Sequence, residues 1–177
     1  MVKVLTSHSK SPILALMKVQ KELHKTACFT GHRRLGMSGL VIAKRLRKLI
    51  SKAHYEKGIT HFIAGGALGF DMIAAEQVLF LKDAGAEITL EIAIPCQDHT
   101  AKWSDSQVRR LNRILAEADK VSESKEPYSP EAMMTRNKYM VSQSALVIAY
   151  YEQGKTGGTK NTLDYATKND REIWYIK

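Results

Sequence analysis

From Thr26 onward, apolar runs too short to make helices alternate with longer segments whose apolar residues recur every three or four positions. The first pattern reads as strand and the second as amphipathic helix. Strands are expected from Thr26 into a polar turn, over 59–64, 87–94, 120–122 and 145–149, and finally over 172–176. Helices are expected over about 38–56, from near Gly69 to Asp83, over 105–118, from Pro130 past Met140, and after Thr159. Ser38 and Ser129 stand where N-caps belong, Pro130 takes a first helical position, and Gly58 closes the first helix. Several strands are apolar without polar alternation, so both sheet faces must be covered. The expected fold class is α/β: a Rossmann-like three-layer domain with a mostly parallel central sheet and helices on both faces.

Residues 1–25 read differently. Val2, Val4 and Leu5 make a short apolar start, Ser7 to Pro12 a polar break, and Ile13 to Leu23 an amphipathic helix capped by Ser11. They form an N-terminal extension to a domain over 26–177, and 177 residues with 44% hydrophobic content suit one sizeable core. Cys28 and Cys96 are far apart and in no C-x-x-C arrangement, so no metal site or disulfide framework is expected. No signal-peptide or membrane-span pattern is seen, and the expectation is a cytoplasmic protein with no membrane partner. The net charge of +9 suggests an anionic partner. Its clusters, Lys44, Arg45, Arg47 and Lys48 in one helix and Arg109, Arg110 and Arg113 in another, interleave with apolar residues at core spacing. They read as solvated faces before they read as a nucleic-acid footprint.

Candidate chemistry gathers in three glycine-bearing turns that follow strands. Gly65-Gly-Ala-Leu-Gly-Phe-Asp71 places three glycines within five positions between a strand and a helix. Gly65, Gly66 and Gly69 there read as a phosphate cradle, with helix N–H groups and the dipole's positive end at the same spot. Asp71 is a candidate for ribose recognition or a helix-start carboxylate. The spacing fits neither a P-loop nor a full dinucleotide fingerprint. Gly31-His32-Arg33 and Gly157-Gly158-Thr159 are the other turns, at the strand edge where such sheets bind ligands. Arg33 is placed to fork onto a phosphate. For His32, a hydrogen-bonded turn imidazole and a catalytic or base-contacting role are both open. Lys155 and Lys160 flank the last turn. His99 and Trp103 lie in a long loop, Trp103 reading as its core anchor, and Met133, Met134 and Met140 read as core.

Thr30-Gly-His-Arg33, the 65–71 turn with Ala74-Ala-Glu76, Arg136-Asn137 with Met140, and Gly157-Gly-Thr159 with Tyr165-Ala166 together resemble the YpsA/YoqJ-like family of the SLOG superfamily, which is named after DprA (Smf) and the LOG enzymes. The resemblance covers roughly 26–177 and implies a Rossmann-like fold with a pocket for a phosphate-bearing nucleotide or an ADP-ribose-like derivative. It extends the candidate ligand residues to Arg136, Asn137 and Thr162, with Asp71 and Glu76 as weak catalytic candidates. The superfamily also contains nucleotide N-glycosidic hydrolases of LOG type and single-stranded DNA binders of DprA type, and these stand as alternatives. The LOG signature pairs Arg-x-x-x-Met with P-G-G-x-G-T-x-x-E. Arg136 and Met140 match its first part; in the second the glutamate position falls on Thr162 and the leading Pro-Gly-Gly is absent. A hydroxyl replaces neither a general base nor an anion facing an oxocarbenium-like transition state. Binding or sensing is therefore expected before hydrolysis. No further cofactor is expected, and homo-oligomer formation stays open.

Overall fold

The protein is described by a computed structural model over residues 23–177. The N-terminal extension lies almost wholly outside the described residues. β1 (Thr26–Gly31), β2 (His61–Ala64), β3 (Thr89–Ile94), β4 (Lys120–Glu123), β5 (Leu146–Tyr150) and β6 (Glu172–Tyr175) form one sheet in the order β4-β3-β2-β1-β5-β6. Every neighbouring pair is parallel. The chain steps outward from β1 to β4, then returns to the other side of β1. The strand order therefore reverses at β1/β5, and a crevice opens there beyond the carboxyl ends of the strands.

Successive strand residues point to opposite faces, and the strands supply two cores accordingly. Ala27, Phe29, Phe62, Ala64, Leu90, Ile92, Leu146 and Ile148 belong to the larger one. They pack against α1 (Gly39–Lys57), α2 (Phe70–Asp83) and α3 (Asp105–Glu117). Cys28, Ile63, Ala93 and Val147 point the other way and meet Met140, Val141 and Ala166. Those come from α4 (Pro130–Ser142) and α5 (Gly158–Lys168). Burial pushes the Cys28 thiol up to about 12, which makes it an inert core group.

The helix ends follow local chemistry. Ser129 accepts from the Ala132 N–H at 3.0 Å, with Pro130 at the first helical position. Ser104 and Gln107 make a reciprocal capping box on α3. Gly58 ends α1 in the left-handed conformation, φ 69°. Ser38 is at the N-cap position of α1, but its side chain makes no capping hydrogen bond. β3 begins at Thr89, later than the expected 87, because Ile88 N–H turns back to the Ala86 carbonyl. Among the described residues no helix is long and apolar enough to cross a membrane.

Candidate functional site

At the crevice a cleft of about 420 Å³ is walled by the β1 turn, the β2–α2 turn, α4 and the start of α5. Thr30, Gly31, His32 and Arg33 come from the first, Ala67 and Asp71 from the second, Met133, Met134, Arg136 and Asn137 from α4, and Thr156, Gly158, Thr159 and Asn161 from the last. A neighbouring cleft of about 480 Å³ shares Arg136, but Glu123, Glu126 and Glu131 line it and would repel a phosphate. The smaller cleft has the cationic, N–H-bearing wall.

α5 begins at Gly158, after Gly157 at the N-cap with no side-chain cap and no acidic residue in its first turn. That end carries the positive pole of the helix without a local carboxylate to neutralise it. Arg33, which lines the same cleft, is exposed. Asn137 holds its Oδ1 to Arg136 Nε at 2.9 Å. Its amide nitrogen faces the start of α5, 4.0 Å from where a β-carbon on Gly158 would sit.

Asp71 and Arg136 hold the floor of the cleft. The Asp71 carboxylate, on a residue only 8% exposed, accepts from the N–H groups of Ala67 and Gly65. Burial raises its pKa, opposed by Arg136, those two N–H groups and Arg33. Arg136 Nη1 donates to the Gly65 carbonyl and, at 3.2 Å, to the Ala93 carbonyl. Burial lowers the Arg136 pKa against the pull of Asp71, but an arginine starts so far above neutrality that it stays charged. Arg136 thus ties the carboxyl ends of β2 and β3 to α4.

Several expected ligand residues turn out to have structural partners. Gly66, at φ 63°, turns its α-carbon to the core, where a β-carbon would sit 2.9 Å from Ile94 Cδ1 and 3.1 Å from Ile92 Cγ2. At Gly69, φ 81°, a β-carbon would collide with the Arg33 carbonyl. The cradle glycines therefore serve packing and the close approach of two turns. The first N–H of α2, on Phe70, donates to the His32 carbonyl at 3.2 Å. A β-carbon on Gly31 would strike the Phe70 ring, and one on Gly65 would strike Arg136. Glu76 lies outside the cleft, held by Arg110 Nε and Nη2 at 2.6 Å each. Thr162 is buried and does not line the cleft; its hydroxyl donates to the Gly158 carbonyl at 2.7 Å.

His32 is the hydrogen-bonded turn imidazole. Its Nε2 accepts the Glu152 N–H at 3.1 Å, and burial, with Lys155, lowers its pKa. Its ring also lines the cleft. Lys155 and Lys160 are paired with Glu152 and Asp164. Met133 and Met134 are half-buried cleft walls rather than core, whereas Met140 is core. Thr156 and Asn161 are further cleft residues; for Asn161 a polar residue in the first turns after a glycine N-cap is a usable sequence signal, whereas Thr156, just before that cap, carries none. Among the described residues no grouping of three or more His, Cys, Asp or Glu side chains could hold a metal.

Comparison with known proteins adds a family to this geometry. The YpsA model, described as YspA SLOG family, matches residues 29–177. The chain belongs to this SLOG family. Among its SLOG relatives is the uncharacterized SPbeta prophage-derived protein YoqJ of Bacillus subtilis, 31% identical over 151 residues, covering 77% of this chain and 88% of the relative. A UPF0398 protein of Halalkalibacterium halodurans is 28% identical over 154 residues, 86% of this chain and 79% of the relative. The fold is shared with DNA processing protein A of Helicobacter pylori, described for its single-stranded DNA binding mode, at TM-score 0.61 and 20% identity over 90% of this chain and 68% of that one. It is shared also with DprA of Streptococcus pneumoniae, at TM-score 0.63 and 20% identity over 91% of this chain and 52% of that one. All six strands and five helices described here thus assemble a Rossmann-like SLOG domain.

Proposed function

We propose that the cleft at the β1/β5 reversal binds a phosphate-bearing nucleotide or a derivative such as an ADP-ribose-like molecule, and does so without turning it over. The observation that carries this is the uncapped, acid-free N-terminus of α5, which lines one cleft together with Arg33. Fixed N–H groups and an exposed guanidinium lining the same cleft suit a phosphate. Asp71, the one carboxylate that lines the cleft among the described residues, is occupied by Gly65 and Ala67 N–H groups and by the charge of Arg136. Thr162 offers no carboxylate in place of the LOG glutamate, and its hydroxyl is engaged. Binding is therefore the reading favoured over N-glycosidic hydrolysis.

Single-stranded DNA is the second reading, favoured by the +9 charge and by what the Helicobacter pylori neighbour binds. Two arginines central to the basic clusters are already committed. Arg47 bonds Gln77 and covers the Phe80 ring at 3.7 Å, and Arg110 is forked onto Glu76. Oligonucleotide binding is expected to be weak and to vanish by physiological salt.

Thermal melting with ADP-ribose and AMP tests the main reading. A ligand that binds only the folded state stabilises by about 2.7 kcal/mol at a hundredfold excess over Kd. Arg33→Ala, at an exposed position, removes most of that shift without lowering the ligand-free Tm. No shift from any nucleotide in a millimolar panel contradicts the reading, and free base released above the uncatalysed rate contradicts binding without turnover.

A further inference from the structure

Two loops bring the anion-binding groups to the cleft. The turn after β1 carries Arg33, and the 151–157 loop after β5 delivers Thr156 and the start of α5. Glu152, in the second loop, holds the first at two points. Its backbone N–H donates to His32 Nε2 at 3.1 Å, and its Oε1 accepts the Gly36 N–H at 2.8 Å. Those contacts bracket the exposed Arg33 and Arg34. Glu152 itself does not line the cleft.

The rest of its carboxylate is anchored in its own loop and strand. The Tyr150 O–H donates to Oε1 at 2.9 Å, and Lys155 pairs with Oε2. Lys155, the Tyr150 hydroxyl and the Gly36 N–H hold the Glu152 carboxyl down to about 2, so the bond from Gly36 is charge-assisted at any pH where the protein works. The 151–155 stretch is folded onto itself as well. Tyr151 O–H donates to the Lys155 carbonyl at 2.7 Å, the Lys155 N–H to the Glu152 carbonyl at 3.2 Å, and the Tyr151 ring lies 5.6 Å from that of His32. Gly36 is fitted to the carboxylate: a β-carbon there would stand 2.7 Å from Glu152 Oε1. A turn held at one end only would leave Arg33 to be ordered by the ligand, and that ordering costs affinity.

We propose that Glu152 is a positioning residue for the anion site, fixing the Arg33 turn relative to the start of α5 so that both reach one phosphate. The inference rests on the phosphate reading of the cleft and deepens it by naming the residue that presets its geometry.

The test is an NMR titration with ADP-ribose, carried to millimolar ligand, of the wild type, Glu152→Ala, Glu152→Gln, Gly36→Ala, Arg33→Ala and the Arg33→Ala/Glu152→Ala double variant. Melting curves confirm that each one folds. Glu152→Ala is expected to weaken binding about five- to tenfold, the cost of ordering one long side chain on binding. Gly36→Ala displaces the flexible carboxylate without removing it and gives a similar loss, so it carries the test should Glu152→Ala fail to fold. Glu152→Gln keeps an oxygen for the Gly36 N–H and recovers part of the affinity. In the Arg33→Ala background Glu152→Ala costs nothing further, because it acts through that side chain. The Gly36 amide exchanges slowly with solvent in the ligand-free wild type and fast in Glu152→Ala. Wild-type affinity in both Glu152→Ala and Gly36→Ala overturns the positioning role and leaves the phosphate reading standing. So do tighter binding in Glu152→Ala through a freed Lys155, losses from Arg33→Ala and Glu152→Ala that multiply, and fast Gly36 exchange in the wild type. A wild type that binds no ADP-ribose overturns the phosphate reading, and the positioning role with it.

Discussion

Replacing Arg136 by methionine keeps most of the side-chain volume and removes the charge that faces the buried Asp71 carboxylate. It also strips the Gly65 and Ala93 carbonyls of their shared donor. Leaving two buried carbonyls short of a donor costs about 1–3 kcal/mol each, and the loss of the charge that opposes the burial of Asp71 adds to it. Arg136 keeps some exposure to the cleft, so about 3 kcal/mol is expected. In a domain of this length that lowers Tm by about 6–12 °C. The sign of the pH dependence follows from Asp71. Burial already raises its pKa above the ordinary 3.8, and losing Arg136 raises it further. A carboxyl whose folded pKa is raised destabilises the fold while it is ionised, and protonation relieves that cost as pH falls. The deficit of Arg136→Met is therefore largest near pH 7 and shrinks toward pH 5, as read from urea unfolding of both proteins. Adding Asp71→Asn recovers part of the loss, so the double variant loses less than the sum of the two single ones. A deficit below about 1 kcal/mol, the size of a surface pair, or one that does not change on acidification refutes the Asp71–Arg136 lock.

Gly66→Val is expected to lower stability by at least about 2 kcal/mol, because a β-branched residue resists φ 63° and overpacks Ile92 and Ile94. A variant with unchanged urea midpoint but no nucleotide binding would instead make Gly66 part of the phosphate cradle. Glu91, inside β3, is raised by burial yet drawn down to about 2 from 4.5 by hydrogen bonds from His61, Ser122, Tyr139 and Lys120. That depression contributes about 3 kcal/mol above pH 4.5, lost as pH falls from 4.5 toward 2. Glu91→Gln should flatten the acid limb of the stability curve in that window, and an unchanged limb would contradict the network.

The elements were legible because their signals are local. All six strands and five helices lie within about two residues of where periodicity and caps put them. The three turns that line the cleft were also legible, since parallel strands bring every strand-to-helix turn to one edge. What each residue does there was not. Glycine is needed wherever something comes close, and nothing local distinguishes a phosphate, as read for Gly66 and Gly69, from the Ile94 side chain and the Arg33 carbonyl that the fold places beside them. Glu91 shows the same limit. Nothing near it in sequence marks it as buried, yet β3 is an interior strand whose two neighbours and Tyr139 of α4 enclose the carboxylate. The short motif around Arg136 marked the right residue, while its carbonyl partners on β3 and in the glycine turn lie 43 and 71 positions away in sequence.

The central claim is that a nucleotide phosphate sits at the start of α5 in the cleft that Arg33 also lines. A two-dimensional amide NMR titration with ADP-ribose reads this residue by residue. The expected result is saturable shifts at the N–H groups of Gly158, Thr159 and Asn161 and around Arg33, lost in Arg33→Ala. Shifts confined to the basic faces of α1 and α3, around Lys44 to Lys48 and Arg109 to Arg113, or no shifts at millimolar ligand, would contradict it.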